Sequence, residues 1–217
     1  MKGFKKLTAG LMGVVMALGV CGFTAFAAKT IPVKSAEELA DAVKENGDIT
    51  IILDNDINLN IDLNKKTLEI PNGKNITLDL GGNTLTGPES GYAIQFGEFD
   101  KSEGKGFEDC IYENNGELII ENGKIDCDSA VLNYFGNVTF GDDLTIDAEN
   151  RGITTYGGEV TVDGAKMTAD GYGILTFNSF HAFFSTPDSK ANTDNDKNIS
   201  PTVTIKNGSV INAGVSV

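Results

Sequence analysis

The sequence is poor in the side chains on which catalysis and metal binding most often depend. It contains one histidine (His181), one arginine (Arg151) and three cysteines. Enzymes need convergent titratable groups, and structural zinc sites need closely spaced cysteines or histidines. The sequence has no such cluster and no glycine-rich phosphate-binding loop that leads into a helix. We therefore predict no catalytic residue, no metal ligand set and no cofactor.

Basic residues are scarce as well. The chain has 17 lysines and arginines against 31 acidic residues, which gives a formal net charge of −14. A field of this sign repels nucleic acid and anionic lipid, so we expect neither as a partner. Calcium is the one cofactor that the acidic residues could bind, because short acidic pairs can supply carboxylate oxygens as ligands. These pairs, which solvated turns explain more simply, are Asp54 with Asp56, Asp126 with Asp128, and Asp194 with Asp196.

No apolar run is long enough to cross a membrane as a helix. The most apolar stretch covers only residues 11–20. It follows three lysines and precedes the small residues of Ala25-Phe-Ala27. This order is typical of a secretory signal peptide over 1–27, and it predicts a secreted or cell-surface protein with no membrane segment after cleavage. Cleavage would remove those three lysines and change the net charge from −14 to −17.

The cleaved chain would keep two cysteines, Cys110 and Cys127. An exported protein meets an oxidising compartment, where such a pair can form a disulfide. The alternative is that Cys127, on an inward strand position, is simply a small buried apolar residue.

What the sequence does contain is a repeat of 20 to 22 residues. Its copies are 75–85, 117–126, 137–147, 159–169 and 202–211. Each copy has two apolar residues around an outward position, then a turn of Gly, Asn or Asp, and then a second apolar run. The alternation with period 2 predicts strands, and a regular period of this length is typical of proteins built from stacked repeats.

Alignment of the copies predicts columns of inward apolar side chains. The first strand of each repeat supplies two columns: Ile76, Leu118, Val138, Val160 and Val203, and Leu78, Ile120, Phe140, Val162 and Ile205. The second strand supplies Leu85, Ile125, Leu144, Met167 and Val210, and a third strand supplies Ile94, Val131, Ile153 and Ile174. No repeat can bury its apolar side alone, so we expect stacking to close the core.

This pattern, from about Val33 onward, resembles the right-handed parallel β-helix superfamily. That pectin-lyase-like fold is shared by pectate lyases, polygalacturonases, phage tailspikes and bacterial adhesins. The resemblance implies an all-β fold, a right-handed parallel β-helix solenoid with three strands per repeat, over residues 48–217. It says little about activity. Of the polygalacturonase motifs, Asn192-Thr-Asp194 is present by coincidence, whereas Gly-His-Gly and Arg-Ile-Lys are missing.

Residues 28–47 are predicted to form an N-terminal segment with a short capping helix over 35–46. Ser35 and Glu38 make a capping box, and Gly47 suits the position after the helix. The apolar face of this helix would cover the first repeat.

Two insertions interrupt the period, near 98–113 and near 179–200. Both follow the third strand, three repeats apart, so their roots should lie about 14 Å apart at about 4.8 Å per strand. They could wall a shallow trough on a rigid scaffold, which is where function is often located. Because the last repeat is incomplete, we also expect further repeats or domains beyond Val217.

Aromatic residues recur at the third strand and form the best candidate for a binding site. Tyr134, Tyr156 and Phe177 should stack at the end of this strand, with Tyr92, Arg151 and Tyr172 near its start. Rings and hydroxyls beside Asn133 and Thr155 would suit a sugar, although a stack that only stabilises the corner would have the same pattern.

Three functions fit these features. The first is a non-catalytic extracellular or cell-surface module, adhesin-like or carbohydrate-binding, with a polysaccharide or a host glycan as partner. The second is a polysaccharide lyase or glycoside hydrolase that uses Arg151 and acids of the insertions. The third is a purely structural stalk segment. We favour the first, because a rigid scaffold with two loops at one corner suits contact better than chemistry.

Overall fold

A computed structural model of the chain describes residues 28–64, 66–98, 114–177 and 201–214. Up to residue 98 the strands are β1 Lys29–Val33, β2 Asp48–Leu53, β3 Ile57–Asn58, β4 Leu68–Ile70, β5 Asn75–Asp79, β6 Thr84–Thr86 and β7 Tyr92–Phe96. From residue 114 they are β8 Glu117–Glu121, β9 Gly123–Asn133, β10 Asn137–Phe140, β11 Leu144–Thr155, β12 Glu159–Asp163, β13 Lys166–Ala169, β14 Tyr172–Thr176, β15 Thr202–Lys206 and β16 Val210–Ala213. The two helices are α1 Ala36–Ala42 and α2 Leu59–Asp62. The predicted all-β class is confirmed.

The strands form two sheets in which every pairing is parallel. The first sheet has the order β1-β2-β5-β8-β10-β12-β15. The second has the order β16-β13-β11-β9-β6-β3, with β14 beside β11, and β7 between β4 and β9. The long strands β9 and β11 therefore pair with two sets of neighbouring strands, because each continues from the second strand of a repeat into the third.

The register of the first sheet confirms both columns predicted for the first strand as far as Val160 and Val162, whereas Val203 and Ile205 keep the register but are 39% and 56% exposed. Val138 pairs with Leu118 on one side and with Val160 on the other, and Val160 pairs with Val203. The side chains of Leu118, Val138 and Val160 are buried in one continuous apolar cluster. Each such side chain contributes roughly 1.5–3 kcal/mol through the water-exposed area that it loses.

The column predicted for the second strand is partly wrong. Ile125 pairs with Ile146 rather than with Leu144, and Met167 pairs with Ile211 rather than with Val210. Val210 lies opposite Lys166 and is 43% exposed. The turn between the first and second strands differs in length from one repeat to the next, so counting residues across it does not give the register.

The corners of the repeats use left-handed backbone, as the Asn-Gly and Asp-Gly pairs predict. Asn122 and Asn207 have φ values of 57° and 53°, and Gly164 has a φ of 82°. Asparagine and glycine tolerate this region better than other residues. Asp143, with a φ of 55°, takes the same conformation at a corner without an Asn-Gly or Asp-Gly pair.

Helix α1 covers the first strands, but it is shorter than predicted. Ser35 is the N-cap, and its Oγ accepts a hydrogen bond from the Glu38 amide. The Glu38 carboxylate accepts from the Lys34 amide rather than from that of Ser35, so the predicted capping box is shifted by one residue. The helix ends at Ala42, well before Gly47, whose left-handed φ of 90° leads into β2 instead.

Two short elements near the N-terminal end were not anticipated. Strand β1 extends the first sheet by pairing with β2 in a region predicted to hold only a linker and the helix. Apolar residues alternate from 57 to 63, but only Ile57–Asn58 is extended and α2 follows at once. Leu59, the first residue of this single helical turn, is buried.

Several predictions fall outside the described residues. They are the signal peptide over 1–27, most of the two insertions, His181 and Cys110. The strands that precede the insertions, β7 and β14, do lie three repeats apart along one row, as predicted. Within the described ranges, no helix has the length and apolar character needed to span a membrane.

Candidate functional site

The candidate site is built on the third strand of the repeats. This row contains β7, β14 and the later halves of β9 and β11, all parallel. The predicted column Ile94, Val131, Ile153 and Ile174 is confirmed and faces the core. The corner before it aligns Tyr92, Ser129, Arg151 and Tyr172 across four neighbouring strands.

An aromatic ladder lies at the end of this row, at the positions predicted for it. The Tyr134 and Tyr156 rings are 5.4 Å apart between centroids and inclined by 12°. The Tyr156 and Phe177 rings are 4.9 Å apart and inclined by 14°. Parallel strands repeat about every 4.8 Å, so equivalent residues of successive repeats bring their rings into stacking distance. We call these three residues the aromatic ladder.

The ladder stops at Tyr134 because Gly97 follows β7 in the preceding repeat. Gly97 has a φ of 81°, and a Cβ there would lie 2.8 Å from the main-chain oxygen of Tyr134. The polar groups of Asn72 and Asn114 crowd the same point. No aromatic side chain can be placed there, so a glycine in the sequence sets the length of the stack.

Tyr92 reaches across two repeats to join this surface. Its hydroxyl donates to Thr154 Oγ1 at 2.8 Å and accepts from Arg151 Nη1 at 3.2 Å. Thr154 lies on the face opposite to the core residue Ile153, and it is only 2% exposed. The phenol of Tyr92 is thus held in one orientation by two residues of a single strand.

The electrostatics place Tyr92 and Arg151 next to the ladder. Burial raises the pKa of Tyr156, and the neighbouring phenols of Tyr134 and Tyr92 raise it further, while Arg151 acts in the opposite direction. Burial also raises the pKa of Tyr134, with a smaller contribution from Tyr92. These phenols therefore remain neutral hydrogen-bonding groups over the physiological range.

Arg151 is held by the protein on one side of its guanidinium group. Its Nη1 donates to Tyr92, and its Nε is buried without a hydrogen-bond partner. None of the ion pairs between described residues includes Arg151. A lyase would need carboxylates beside such a base, and the acids of the two insertions lie outside the described residues.

Asn133 and Thr155 were expected beside the rings, and this expectation is wrong. Both are fully buried on the core side. Asn133 donates to the main-chain oxygen of Gly136 and to Thr155 Oγ1, and Thr155 donates to the main-chain oxygen of Gly157. Their polar groups are satisfied inside the protein, where they fix the corner that carries Tyr134 and Tyr156.

The structure thus brings together five of the six predicted site residues. Tyr92, Arg151 and the ladder form one cluster. Tyr172 shares the register position of Arg151 on the neighbouring strand and is half-buried. Sequence reasoning missed Thr154, although the alternation along β11 could have distinguished it from the inward Thr155.

The described residues contain no group of three or more histidine, cysteine or acidic side chains arranged for a metal ion. Asp126 has Lys124 as its partner at 2.9 Å, and Asp147 on the next strand shares the same lysine at 3.2 Å. Cys127 is buried, and it forms no disulfide with another described residue. Its predicted disulfide with Cys110 stays a prediction, because Cys110 lies outside the described residues.

The chain was compared with protein-family models, with curated proteins and with solved structures, and none of them matches it.

Proposed function

We propose that the chain is an exported right-handed parallel β-helix module. Three features support this proposal: all strand pairs are parallel, equivalent residues one repeat apart lie in register, and one apolar core joins the repeats. The signal-like segment over 1–27 supports export. In this fold successive repeats add strands to the same sheets, so the scaffold is rigid along its length.

We further propose that the module is non-catalytic and binds carbohydrate at the third strand. The observation that carries this function is the hydrogen bond between Arg151 and Tyr92 beside the aromatic ladder. Phenols and a guanidinium group offer hydrogen bonds next to flat apolar surface. Sugars carry hydroxyl groups around an apolar ring face, so the two surfaces are complementary. The rings are held by the strands, so little side-chain entropy is lost on binding.

The stacking also limits how a sugar can bind. The faces of Tyr134 and Tyr156 that point towards each other are in contact and cannot pack on a ligand. Ring edges and polar groups along the outer side of the ladder are what the site can offer. A ligand would therefore lie beside the ladder and form hydrogen bonds with the phenols and with Arg151.

A glycan array with the full chain tests this function. Tyr92→Phe removes the hydroxyl that orients Arg151, and Arg151→Gln removes the charge, while both leave the ladder rings in place. Thr161→Ala, on the outer face of the first sheet, is the matched control. We expect the control to retain its glycans and both site variants to lose at least about tenfold in affinity, which corresponds to about 1.4 kcal/mol. Equal retention by all three variants would exclude this site.

A structural spacer is the second candidate, and one observation favours it. The ladder rings stack face to face, and this stacking stabilises the row of strands without any ligand. If this is the main role, Tyr156→Ala lowers the unfolding temperature, and the wild-type chain binds no glycan on the array. Binding that is lost in Tyr92→Phe at unchanged stability would separate the first candidate from the second.

A further inference from the structure

The positive charge of Arg151 is not neutralised by a carboxylate of any residue that the structure describes; the ion pairs in this part of the chain all use lysine. This residue is the one arginine of a chain that has 31 acidic residues. Arginine pairs with carboxylates better than lysine does, because its planar group can donate two parallel hydrogen bonds. A guanidinium group that the fold orients without an acidic partner is therefore suited to bind the carboxylate of a ligand.

A bulge in β11 determines the position of Arg151. Ala148 pairs with Cys127 of β9. The next pair along these strands is Arg151 with Ser129, so β11 has one residue more than β9 between the two pairs. Without this extra residue, the residue before Arg151 would lie opposite Ser129. A β-bulge redirects the side chains that follow it and is frequent beside functional sites. Here it brings Arg151 into line with Tyr92, the residue that holds its guanidinium group.

The surroundings of the guanidinium group leave one of its nitrogen atoms for a ligand. Nη1 donates to the Tyr92 hydroxyl at 3.2 Å, and Nε is buried. A ligand would therefore bind at Nη2. Burial raises the pKa values of the nearby phenols of Tyr134 and Tyr156, so both phenols stay neutral at physiological pH. The aromatic ladder thus carries no negative charge that would oppose an anion at this point.

Acidic residues limit how many negative charges the site can accept. Asp128, Glu149 and Asp170 precede the third strand in three neighbouring repeats, and the whole chain has a net charge of −14. The four third strands that form the site, over 92–96, 129–133, 151–155 and 172–176, contain no basic residue besides Arg151. At physiological ionic strength charges act over about 8 Å. A carboxylate that contacts Arg151 is attracted at shorter range than this, whereas further acidic groups of a ligand would meet repulsion without a cation to bind them.

We propose that the site binds a glycan that carries one acidic sugar residue, with its carboxylate on Arg151 and its neutral residues beside the aromatic ladder. This inference rests on the carbohydrate-binding function proposed above and names the class of glycan. A glycan with a carboxylate on every residue is disfavoured at the same site, because the three acids before the third strand and the net charge of the chain repel it. Tyr92 is a positioning residue, since its hydroxyl group holds the guanidinium group in place.

Pairs of oligosaccharides that differ in one carboxyl group test the proposal with the full chain. Each pair on a glycan array holds a singly acidic oligosaccharide and its carboxyl-reduced form. The wild type should bind the acidic member roughly tenfold more tightly, as expected for hydrogen bonds between charged groups. Arg151→Gln should bind both members equally, and Tyr92→Phe should retain only part of the preference. Lys166→Gln, which removes the same charge from the outer face of β13, is the matched control and should keep the full preference.

Salt provides an independent measurement with the wild type alone, so it does not depend on the folding of any variant. Added salt should weaken binding of the singly acidic oligosaccharide, since it screens the ion pair, and should strengthen binding of an oligomer with a carboxylate on every residue.

The outcomes separate this proposal from the proposed function. Equal affinity of the wild type for both members of each pair would overturn the class of glycan and leave carbohydrate binding intact. Tighter binding of the fully acidic oligomer would refute the limit to one charge. Loss of the preference in Lys166→Gln, when circular dichroism shows the variant folded, would mean that net charge rather than Arg151 causes it. A wild type that binds no oligosaccharide would overturn the proposed function as well.

Discussion

Lys74 Nζ lies 2.7 Å from the main-chain carbonyl oxygen of Glu45, just after the C-terminal end of α1. It also donates to the Lys44 carbonyl oxygen at 2.8 Å and to Asn46 Oδ1 at 3.2 Å. A cation in this position satisfies carbonyl groups of the turn that follows the helix, and it ties this turn to the start of β5.

Replacement of this lysine should weaken the N-terminal cap. We expect Lys74→Met to lower the free energy of unfolding by about 1 kcal/mol, because the carbonyl groups lose a charged donor while the apolar stem is kept. Lys166→Met, on the outer face of β13, is the control and should change stability by less than about 0.5 kcal/mol. Urea unfolding of the full chain measures both, and equal effects would contradict the assigned role of Lys74.

The aromatic ladder predicts a graded series of stabilities. Tyr156 stacks on two rings and Tyr134 on one ladder ring. Each aromatic pair contributes roughly 0.5–1.5 kcal/mol beyond its buried area, so Tyr156→Ala should cost more than Tyr134→Ala. Tyr156→Phe retains both stacks and should stay near the wild type. A double-mutant cycle between positions 134 and 156 gives the coupling, and a value near zero would mean that stacking contributes nothing.

Cys127 predicts a loss of stability in alkali. Burial raises the pKa of its thiol from 9.0 to about 12, and the carboxylates of Asp126 and Asp128 act in the same direction. Below pH 9 the thiol is protonated in both the folded and the unfolded chain, so it adds no dependence on pH. Between pH 9 and about 12 only the unfolded chain ionises, and stability falls by up to about 1.4 kcal/mol per pH unit.

Comparison of the wild type with Cys127→Ala isolates this thiol from the tyrosines and lysines that titrate in the same range. The variant should lose less stability between pH 9 and pH 11 than the wild type. Thiol counting in denaturant without reductant comes first, because a disulfide with Cys110 would remove the titration. Identical pH profiles with a free thiol present would refute the buried position.

Two glycines with the same backbone conformation should respond differently to alanine. Gly158 has a φ of 76°, and a Cβ there would lie 2.1 Å from the main-chain oxygen of Gly136. Gly73 has a φ of 73°, and its Cβ would meet nothing within 4 Å. Gly73→Ala should cost roughly 1–2 kcal/mol for left-handed backbone alone. Gly158→Ala should cost roughly 3 kcal/mol or more, since the main chain of the preceding repeat must move. Thermal unfolding of both variants checks the difference, and similar costs would mean that the corner is not closely packed.

Much of the fold could be predicted because one pattern is repeated. The alternation in 117–120 and 137–140 selects strands, and the equal spacing of the copies selects parallel pairing with Leu118 beside Val138. The prediction of the second-strand column was wrong where the turn length varies. Leu144 and Ile146 are both apolar, so polarity does not show which of them pairs with Ile125. The alternation over 57–63 does not by itself distinguish a strand from the single helical turn α2, because Leu59 is buried in the helix as it would be in a strand.

The candidate site could also be predicted only in part. The ladder was predictable, since stacking follows directly from equivalent positions in a parallel register. The contact between Tyr92 and Thr154 was not, because it joins residues two repeats apart through a side chain that crosses the strand between them. The burial of Asn133 and Thr155 also depends on which face of the strand each residue takes at a corner, where alternation is interrupted.

The sequence by itself determined the strand class, the apolar columns and the recurrence of rings, because each of these depends only on local alternation and on the spacing of the copies. Only the tertiary structure decided that Arg151 is bound to Tyr92, that the ladder ends at Gly97, and that Asn133 and Thr155 are buried. These features depend on the packing of neighbouring repeats against one another, and turn lengths and backbone register set that packing in ways that residue types alone do not specify.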